Sequence, residues 1–226
     1  MAALDEANSR SQAAAQLRML ETMVRMQESH NLQVHPQWRE QGFAYYRAIW
    51  VECAELLDHY GWKWWKHTVP DMDQSRLELV DIWHFGLSDL MLRGQLSESI
   101  LTAFEAPSAE TPVGPSGADF RAAVEQLALV TLDTKGFALD AFANAMASLP
   151  MSFNELFEMY VGKNVLNSFR QNNGYKTGSY RKLWAGREDN EHLVEALAAL
   201  PPDTPDFPEK LYEELQSRYD TTASDV

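Results

Sequence analysis

The chain has 226 residues, of which 45% are hydrophobic, and carries a formal net charge of −14 at pH 7. The hydrophobic fraction predicts a folded globular protein, and the acidic excess argues against nonspecific binding to nucleic acid or to an anionic membrane. No apolar run reaches the roughly 18 residues of a membrane span, the N-terminus lacks the apolar core of a secretory signal, and the single Cys53 fits a reducing compartment, so we expect a cytoplasmic protein.

Apolar residues recur at helical spacing along most of the chain, while strand signals are scarce, which predicts an all-α fold in one domain over residues 1–226. Capping-box patterns at Ser75 with Glu78 and at Ser152 with Glu155 predict two of the helix starts. Residues 106–117 are rich in Pro, Gly, Ser and Thr, which predicts a surface loop or insertion. The predicted helices span about residues 11–31, 36–60, 75–94, 98–104, 119–134, 137–148, 153–172, 188–200 and 208–218.

Two acidic pairs with i, i+3 spacing lie on the second and third predicted helices: Glu52 with Glu55, and Glu78 with Asp81. This spacing puts both members of a pair on one helix face, so two packed helices can direct four carboxylates to one point. Most such pairs lie on a solvated face, but apolar neighbours predict that these are partly buried. Because partly buried carboxylates repel one another unless a cation compensates them, the sequence predicts a Mg²⁺ site that acts on a phosphorylated substrate.

A basic segment, residues 163–187, carries six Lys and Arg side chains and no Asp or Glu. Gly174 and Gly178 give its middle backbone freedom among hydroxyl and cationic side chains. Such a segment can fold over a triphosphate, offset its charge and exclude water, which predicts a phosphate lid. The alternative is an exposed basic loop that pairs with the acidic surface.

Three Trp and two Lys lie together in residues 62–66, directly after the second predicted helix. Trp at this density usually belongs to a core, and we expect one or two of these rings to be buried. The remaining aromatic faces can stack on a nucleobase while Lys63 and Lys66 reach phosphates.

Four sequence blocks together resemble the dimeric all-α dUTPase family, a branch of the all-α NTP pyrophosphatases, over about residues 17–190. The ExxE and ExxD pairs are shared by the whole superfamily, whereas the other blocks are specific to the dimeric dUTPases. The resemblance implies a single catalytic domain: a helical bundle with a metal-binding core and a mobile basic lid. The blocks are ECAE at 52–55, WKWWK at 62–66, ELVDIWHF at 78–85, and KNVLNSFR followed by GYKTGSYRK within 163–182.

The resemblance implies hydrolysis of dUTP to dUMP and pyrophosphate by a homodimer, with dUDP also accepted. Glu52, Glu55, Glu78 and Asp81 would hold two or three Mg²⁺ ions, with Mn²⁺ as a possible substitute. Glu52 or Glu55 would orient or deprotonate a water for attack on the β-phosphorus.

The family uses a Gln and an Asn on its first helix to bind the base, and Gln27 and Asn31 match them by position, with His30 as an alternative contact. Their amides can pair with the edge of uracil, or they can simply cap and solvate the helix end. The candidate base- and sugar-binding residues are Gln27, Asn31, Trp62, His84, Phe85, Asn167 and Tyr175, and the candidate phosphate-binding residues are Lys63, Lys66, Lys176, Arg181 and Lys182.

Three alternatives stay open at this point. The first is a pyrophosphatase for dCTP or a broader set of NTPs, which a comparison of dUTP with dCTP would separate. The second is a di-iron carboxylate bundle, for which the chain offers only Asp81-x-x-His84 and Asp189-x-x-His192 in place of two Glu-x-x-His motifs. The third is a helical interaction protein without enzymatic activity, in which the four acids would be dispensable.

Overall fold

The computed structural model describes residues 2–104, 117–200 and 206–221, with side chains described from residue 12 and, after the first gap, from residue 120. The described part of the chain is almost entirely helical, which confirms the predicted all-α fold. Short 3₁₀ helices cover Trp38–Glu40, Glu98–Phe104 and Tyr175–Thr177. The α-helices are α1 (Ala2–Val34), α2 (Tyr45–Tyr60), α3 (Met72–Leu92), α4 (Gly117–Thr134), α5 (Leu139–Ser148), α6 (Phe153–Asn172), α7 (Asp189–Ala199) and α8 (Phe207–Thr221).

A small antiparallel hairpin, β1 (Leu183–Trp184) with β2 (Arg187–Glu188), lies in the basic segment. Its two-residue turn has positive φ at both Ala185 and Gly186, as a tight hairpin turn between twisted strands requires. The sequence did not predict this hairpin, because strands of only two residues are too short to show an alternation of apolar and polar residues.

Helix α1 begins at Ala2 instead of about residue 11, and the starts of α2 and α3 also differ from the sequence prediction. Helix α2 begins at Tyr45 instead of residue 36, after a positive-φ turn at Gly42 that a continuous helix cannot contain. Helix α3 begins at Met72, because the Asp71 side chain accepts a hydrogen bond from the Gln74 backbone N–H at 3.1 Å. The predicted capping box at Ser75 is therefore wrong, and its hydroxyl donates to the Asp71 carbonyl oxygen instead.

The capping box of Ser152 and Glu155 is confirmed at the start of α6. The Ser152 hydroxyl accepts from the Glu155 N–H at 3.2 Å, and the Glu155 carboxylate accepts from the Ser152 N–H at 2.7 Å. The predicted surface loop at 106–117 lies outside the described residues, except for Gly117, where α4 begins.

The register of α2 and α3 sets the direction of the acidic side chains. Buried Ile49, Cys53 and Leu56 form the inner face of α2, so Glu52 and Glu55 lie at the edge of that face. Helix α3 is buried around most of its circumference, which places Glu78 at 3% exposure. Close packing of these two helices brings the acidic pairs together.

Helix α6 belongs to both hydrophobic cores. Its first half packs in a core with α1 to α5, which includes the fully buried Trp83. Its second half packs with α7, α8 and Trp184 of the hairpin. Side chains of α1, α2, α3 and the second half of α6 line a groove. None of the described helices is both long and apolar enough to cross a membrane.

Candidate active site

Three carboxylates from α2 and α3 converge at one point. Glu52, Glu55 and Glu78 each offer an oxygen atom, and the three oxygens all lie within 4.8 Å of one another. Glu78 is buried, Glu52 is partly buried and Glu55 is exposed, so the cluster is open to solvent on one side. Oxygen ligands from carboxylates, together with room for water, form the donor set that Mg²⁺ prefers.

The cluster is electrostatically unfavourable without a cation. Burial, the charges of Asp81, Glu78 and Glu55, and a hydrogen bond with Glu78 together raise the pKa of Glu52 to about 9. Burial also raises the pKa of Glu78, although its hydrogen bond with Glu52 and the charge of Lys163 oppose this. Without a cation, a proton on Glu52 relieves the repulsion between the carboxylates. A divalent cation would offset the same repulsion while the carboxylates stay ionised, so the donor set fits a metal.

Asp81 lies beside the cluster but is paired with a lysine. Its Oδ2 is 2.8 Å from Nζ of Lys163, a side chain with only 1% exposure. The same ammonium donates to Asn190 Oδ1 at 2.7 Å. The sequence analysis counted Lys163 in the basic segment without a site role. The signal that could have identified it is a lone Lys on a helix face among apolar residues, where burial requires an acidic partner.

A second ion pair lies two turns further along the same face of α6, and its Arg170 donates to the same Asn190 oxygen as Lys163 does. Arg170 makes two parallel hydrogen bonds to Asp189, both of 2.8 Å, and Tyr180 donates to the same carboxylate at 2.8 Å. Arg170 also donates to Asn167 Oδ1 at 3.1 Å. These contacts fix Arg170 and Asn167 against the groove and connect α6 to the start of α7 and to the basic segment.

The groove encloses about 470 Å³, a volume that suits a small molecule. It reaches from Glu52 and Asp81, which line one part of it, to the amides of Gln27 and Asn31, which line another, whereas Glu55 and Glu78 are not among its lining residues. His30, the alternative base contact, lines it as well. The structure thus brings together, along one groove, the candidate base- and sugar-binding residues Gln27, Asn31, His84, Phe85, Asn167 and Tyr175.

The amide of Gln27 lies at the centre of a buried hydrogen-bond network. Its Nε2 donates to Asn31 Oδ1 and to Ser88 Oγ, each at 3.1 Å. Its Oε1 accepts from the Tyr160 hydroxyl at 2.9 Å and lies 2.7 Å from His84 Nδ1. Sequence reasoning missed Ser88 and Tyr160. Ser88 lies one turn beyond His84 on α3, but the position of Tyr160 depends on how α6 packs against α1, which no local pattern encodes.

The tryptophan-rich segment lies outside the groove. Trp62 is 46% exposed and donates from Nε1 to Asp58 Oδ1 at 3.0 Å. Trp64 and Trp65 are exposed too, so the expectation that one or two of these rings would be buried is wrong. The connection between α2 and α3 lies on the surface, and its rings pack edge to face on one another instead of in a core.

The candidate phosphate-binding side chains also lie away from the groove, and four of them have other partners. Lys63 pairs with Asp58 at 2.6 Å, and Lys176 donates to the last two carbonyl oxygens of α1. Arg181 donates to the Tyr219 carbonyl oxygen, Lys182 lies 3.2 Å from Glu188, and Lys66 is exposed. Their contact with phosphate stays a prediction. It requires the four paired side chains to leave their present protein partners and to bind phosphate oxygens instead.

Neither histidine of the di-iron alternative joins the carboxylate cluster. His84 Nδ1 bonds to Gln27, and His192 Nε2 lies 2.9 Å from the Trp184 carbonyl oxygen in the second core. The three clustered ligands are all oxygens, which suits a hard cation such as Mg²⁺ better than iron held by Glu-x-x-His motifs.

Comparison with known proteins identifies one family. A family model described as dUTPase matches residues 19–175, which is more than half of the chain. The matched range contains the three clustered carboxylates, Asp81 and the groove-lining amides of α1. No curated protein matches the chain.

Proposed function

The chain belongs to the dUTPase family and is a dUTP diphosphatase, and on that premise we propose that it hydrolyses dUTP to dUMP and pyrophosphate in a Mg²⁺-dependent reaction. We propose further that dUDP is accepted and yields dUMP and phosphate. The observation that carries the proposal is the single groove that reaches from Glu52 of the carboxylate cluster and the neighbouring Asp81 to the amides of Gln27 and Asn31.

The cation would be held by Glu52, Glu55 and Glu78, with Asp81 beside them, in two or three Mg²⁺ sites. Mg²⁺ bound there supplies positive charge to the phosphates and lowers the pKa of a bound water. Glu55 is the most exposed of the clustered carboxylates. It is therefore the best placed to orient the attacking water or to accept its proton, with Glu52 as the other candidate.

In the proposed step, the water oxygen forms a bond to the β-phosphorus. The bond that breaks joins this phosphorus to the oxygen that bridges the α- and β-phosphorus atoms. The nucleotide leaves as dUMP, and pyrophosphate carries the new oxygen. Arg170 lines the groove and Lys163 is paired with Asp81, so both would add positive charge beside this path. The lid proposal for residues 163–187 adds Lys176, Arg181 and Lys182 when the segment closes on bound substrate.

We also propose that the enzyme is a homodimer in the cytoplasm. Large apolar side chains are exposed on α1, α2 and α4, among them Trp50 and Val51 on α2 and Leu129 and Leu132 on α4. Exposed apolar side chains of this size favour a protein interface. Light scattering coupled to size-exclusion chromatography would give the mass of the particle directly, and a monomer at micromolar concentration would contradict the dimer.

Release of pyrophosphate or phosphate in Mg²⁺, measured with dUTP, dUDP, dCTP and dTTP, tests the proposed reaction. We expect hydrolysis of dUTP and dUDP, much slower hydrolysis of dCTP and dTTP, and none with EDTA. Glu55→Gln should lower kcat for dUTP by about 100-fold or more, as loss of a general base does. Glu213→Gln, an exposed change on α8, is the matched control and should keep full activity. Preference for dCTP, or full activity of Glu55→Gln, would contradict the proposal.

A further inference from the structure

His59 lies in the last turn of α2, next to the carboxylate cluster, and the proposed function gives it no role. It follows Glu55 by four residues and Glu52 by seven, so the three side chains lie on one face of the helix. Two side chains at i and i+4 on a helix can bind one metal ion, as the two histidines of an H-E-x-x-H helix do. Glu55 and His59 have this spacing and offer an oxygen and a nitrogen.

The His59 ring contacts the cluster through Glu78. Its Nε2 lies 3.5 Å from Glu78 Oε1, which is too long for a good hydrogen bond. Neighbouring ligand atoms of an octahedral ion are about 3 Å apart when the bonds to the metal are about 2.1 Å long. A small rotation of the ring would give this separation, and the ring has room to rotate because 39% of the His59 side chain is exposed.

The backbone of His59 is fixed against α3. Its carbonyl oxygen accepts a hydrogen bond from the Asp71 N–H at 3.0 Å, and Asp71 is the N-cap of α3. Glu78 lies two turns further along that helix and is buried. Ligands on packed helices keep their positions better than ligands on loops. The approach of His59 to Glu78 is therefore a property of the helix packing.

His59 extends the cluster on the side away from the groove. Among the described side chains, Glu52 and Asp81 line the groove, whereas Glu55, Glu78 and His59 do not. His59 is also not one of the three residues whose ligand atoms all lie within 4.8 Å of one another. The three glutamates can thus share one ion, and His59 is placed to bind a second. A carboxylate can bridge two ions, which in two-metal sites are about 3.5–4 Å apart.

We propose that His59 supplies a nitrogen ligand to a second cation, shared with Glu78 and Glu55, and that this position prefers a divalent transition metal over Mg²⁺. The inference rests on the proposed function, because the glutamates are taken to hold a first cation. Mg²⁺ takes oxygen ligands, whereas an imidazole nitrogen raises the affinity for first-row transition metals. The cluster would then hold a hard cation on the groove side and a transition metal on the other side.

Pulsed electron paramagnetic resonance tests the ligand without any activity measurement. Mn²⁺ is the probe, because it is paramagnetic and has the lowest affinity in the transition-metal series, so other members should bind more tightly. Substoichiometric Mn²⁺ is added in modest excess of Mg²⁺, with and without a non-hydrolysable α,β-imido analogue of dUTP. We expect echo modulation from a directly bound ring nitrogen, and this modulation should change when the histidines are labelled with ¹⁵N.

The possible failures of this experiment are distinguishable. Bound Mn²⁺ without nitrogen modulation in both samples would overturn the proposal and leave the oxygen-ligated site of the proposed function intact. Complete displacement of Mn²⁺ by Mg²⁺ would overturn the proposed preference in the same way. Mn²⁺ that stays free even when Mg²⁺ is absent would contradict the metal site of the proposed function as well.

Two variants separate the nitrogen ligand from the second cation position. His59→Gln should abolish the nitrogen modulation and weaken Mn²⁺ binding about tenfold or more, as loss of a group that supports a metal site does. The signal of free Mn²⁺ measures this affinity. His59→Glu offers an oxygen instead, so it should still bind the second cation but lose both the nitrogen modulation and the preference for Mn²⁺ over Mg²⁺.

His67→Gln is the matched control, because His67 is an exposed histidine that follows the tryptophan-rich segment. It should keep the nitrogen modulation and the affinity of the wild type. Nitrogen modulation that persists in His59→Gln, with the fold intact by circular dichroism, would show that another histidine is the ligand and would overturn the proposal.

Discussion

Lys163 shows how a single side chain can serve both the fold and the site. Its ammonium is almost completely buried and is neutralised by Asp81 at 2.8 Å, with Asn190 as a further acceptor. Taking a Lys out of water costs several kcal/mol unless a partner of opposite charge is close. Asp81 therefore compensates a protein cation in this structure, and it lies near enough to the carboxylate cluster to raise the pKa of Glu52.

Lys163→Met should destabilise the protein, because it leaves Asp81 and Asn190 without their shared donor. Since Asp81 keeps some exposure to water, we expect the free energy of unfolding to fall by about 2–3 kcal/mol, somewhat less than for a fully buried pair. Urea denaturation followed by circular dichroism measures the change. Lys66→Met, at an exposed lysine, is the control and should leave the midpoint unchanged. Equal midpoints for both variants would show that the pair contributes nothing.

At the scale of elements, α3 is fixed by close contacts at a glycine. A Cβ atom added at Gly86 would lie 2.8 Å from ring carbons of Phe137, whose backbone N–H is itself held by Asp89 at 2.9 Å. A Cβ at Gly162 of α6 would also meet a neighbour at 2.8 Å, but that neighbour is a terminal methyl of Leu197. An aromatic ring held in a core moves less easily than the end of a flexible side chain.

Gly86→Ala and Gly162→Ala should therefore differ in stability although both insert the same methyl group. We expect Gly86→Ala to lower the free energy of unfolding by about 1–3 kcal/mol through overpacking. Gly162→Ala should be close to neutral, since the gain of about 1 kcal/mol in helix propensity offsets a small shift of Leu197. Thermal and urea unfolding of the two proteins give the comparison. A smaller loss for Gly86→Ala than for Gly162→Ala would contradict this account of the packing.

Helical periodicity in the sequence was sufficient to predict most of the helices and to place each acidic pair on one helix face, because both depend on spacing along a helix. That Glu52, Glu55 and Glu78 meet depends on the packing of α2 against α3. The start of α3 was mispredicted because Ser75 and Asp71 both resemble caps, and only the structure shows which side chain accepts from a free N–H. Tyr160 could not be predicted as a neighbour of Gln27, since that contact joins residues far apart in the chain. The prediction that one or two Trp rings of residues 62–66 are buried was wrong for a related reason. The exposure of a ring depends on whether another element of the fold covers the segment, which its Trp content does not show.

At the scale of the whole molecule, α6 belongs to two separate cores, and its second half lines the groove with Asn167, Arg170 and Gln171. The first core fixes α1, α2 and α3, which carry the amides and the carboxylates, and the second fixes α7, α8 and the hairpin. Residues 163–172 of the basic segment belong to α6, and the remainder, residues 173–187, follows the C-terminal end of that helix and is held to α1 through Lys176. Movement of this segment can thus change access to the groove without disturbing the first core.

The carboxylate cluster links the stability of the whole protein to pH. The pKa of Glu52 is about 9 in the folded chain and about 4.5 when unperturbed, so between these values the folded protein holds a proton that the unfolded chain has released. The contribution of Glu52 to stability is therefore fully present below about 4.5 and is lost as the pH rises toward 9. Without a metal, the melting temperature should fall across this range.

Mg²⁺ should reverse this trend, because it binds the deprotonated carboxylates and competes with the proton on Glu52. We compare the free energy of unfolding in a fixed concentration of Mg²⁺ with that in EDTA. We expect the difference to grow by roughly 1 kcal/mol per pH unit over the range in which Mg²⁺ displaces one proton. Differential scanning calorimetry at several pH values, with and without Mg²⁺, measures it. Glu52→Gln carries no titrating proton there, so its apo form should lose less stability with rising pH and its Mg²⁺ response should be weak and flat. An Mg²⁺ effect in the wild type that is equal at every pH would contradict the coupling of metal binding to Glu52.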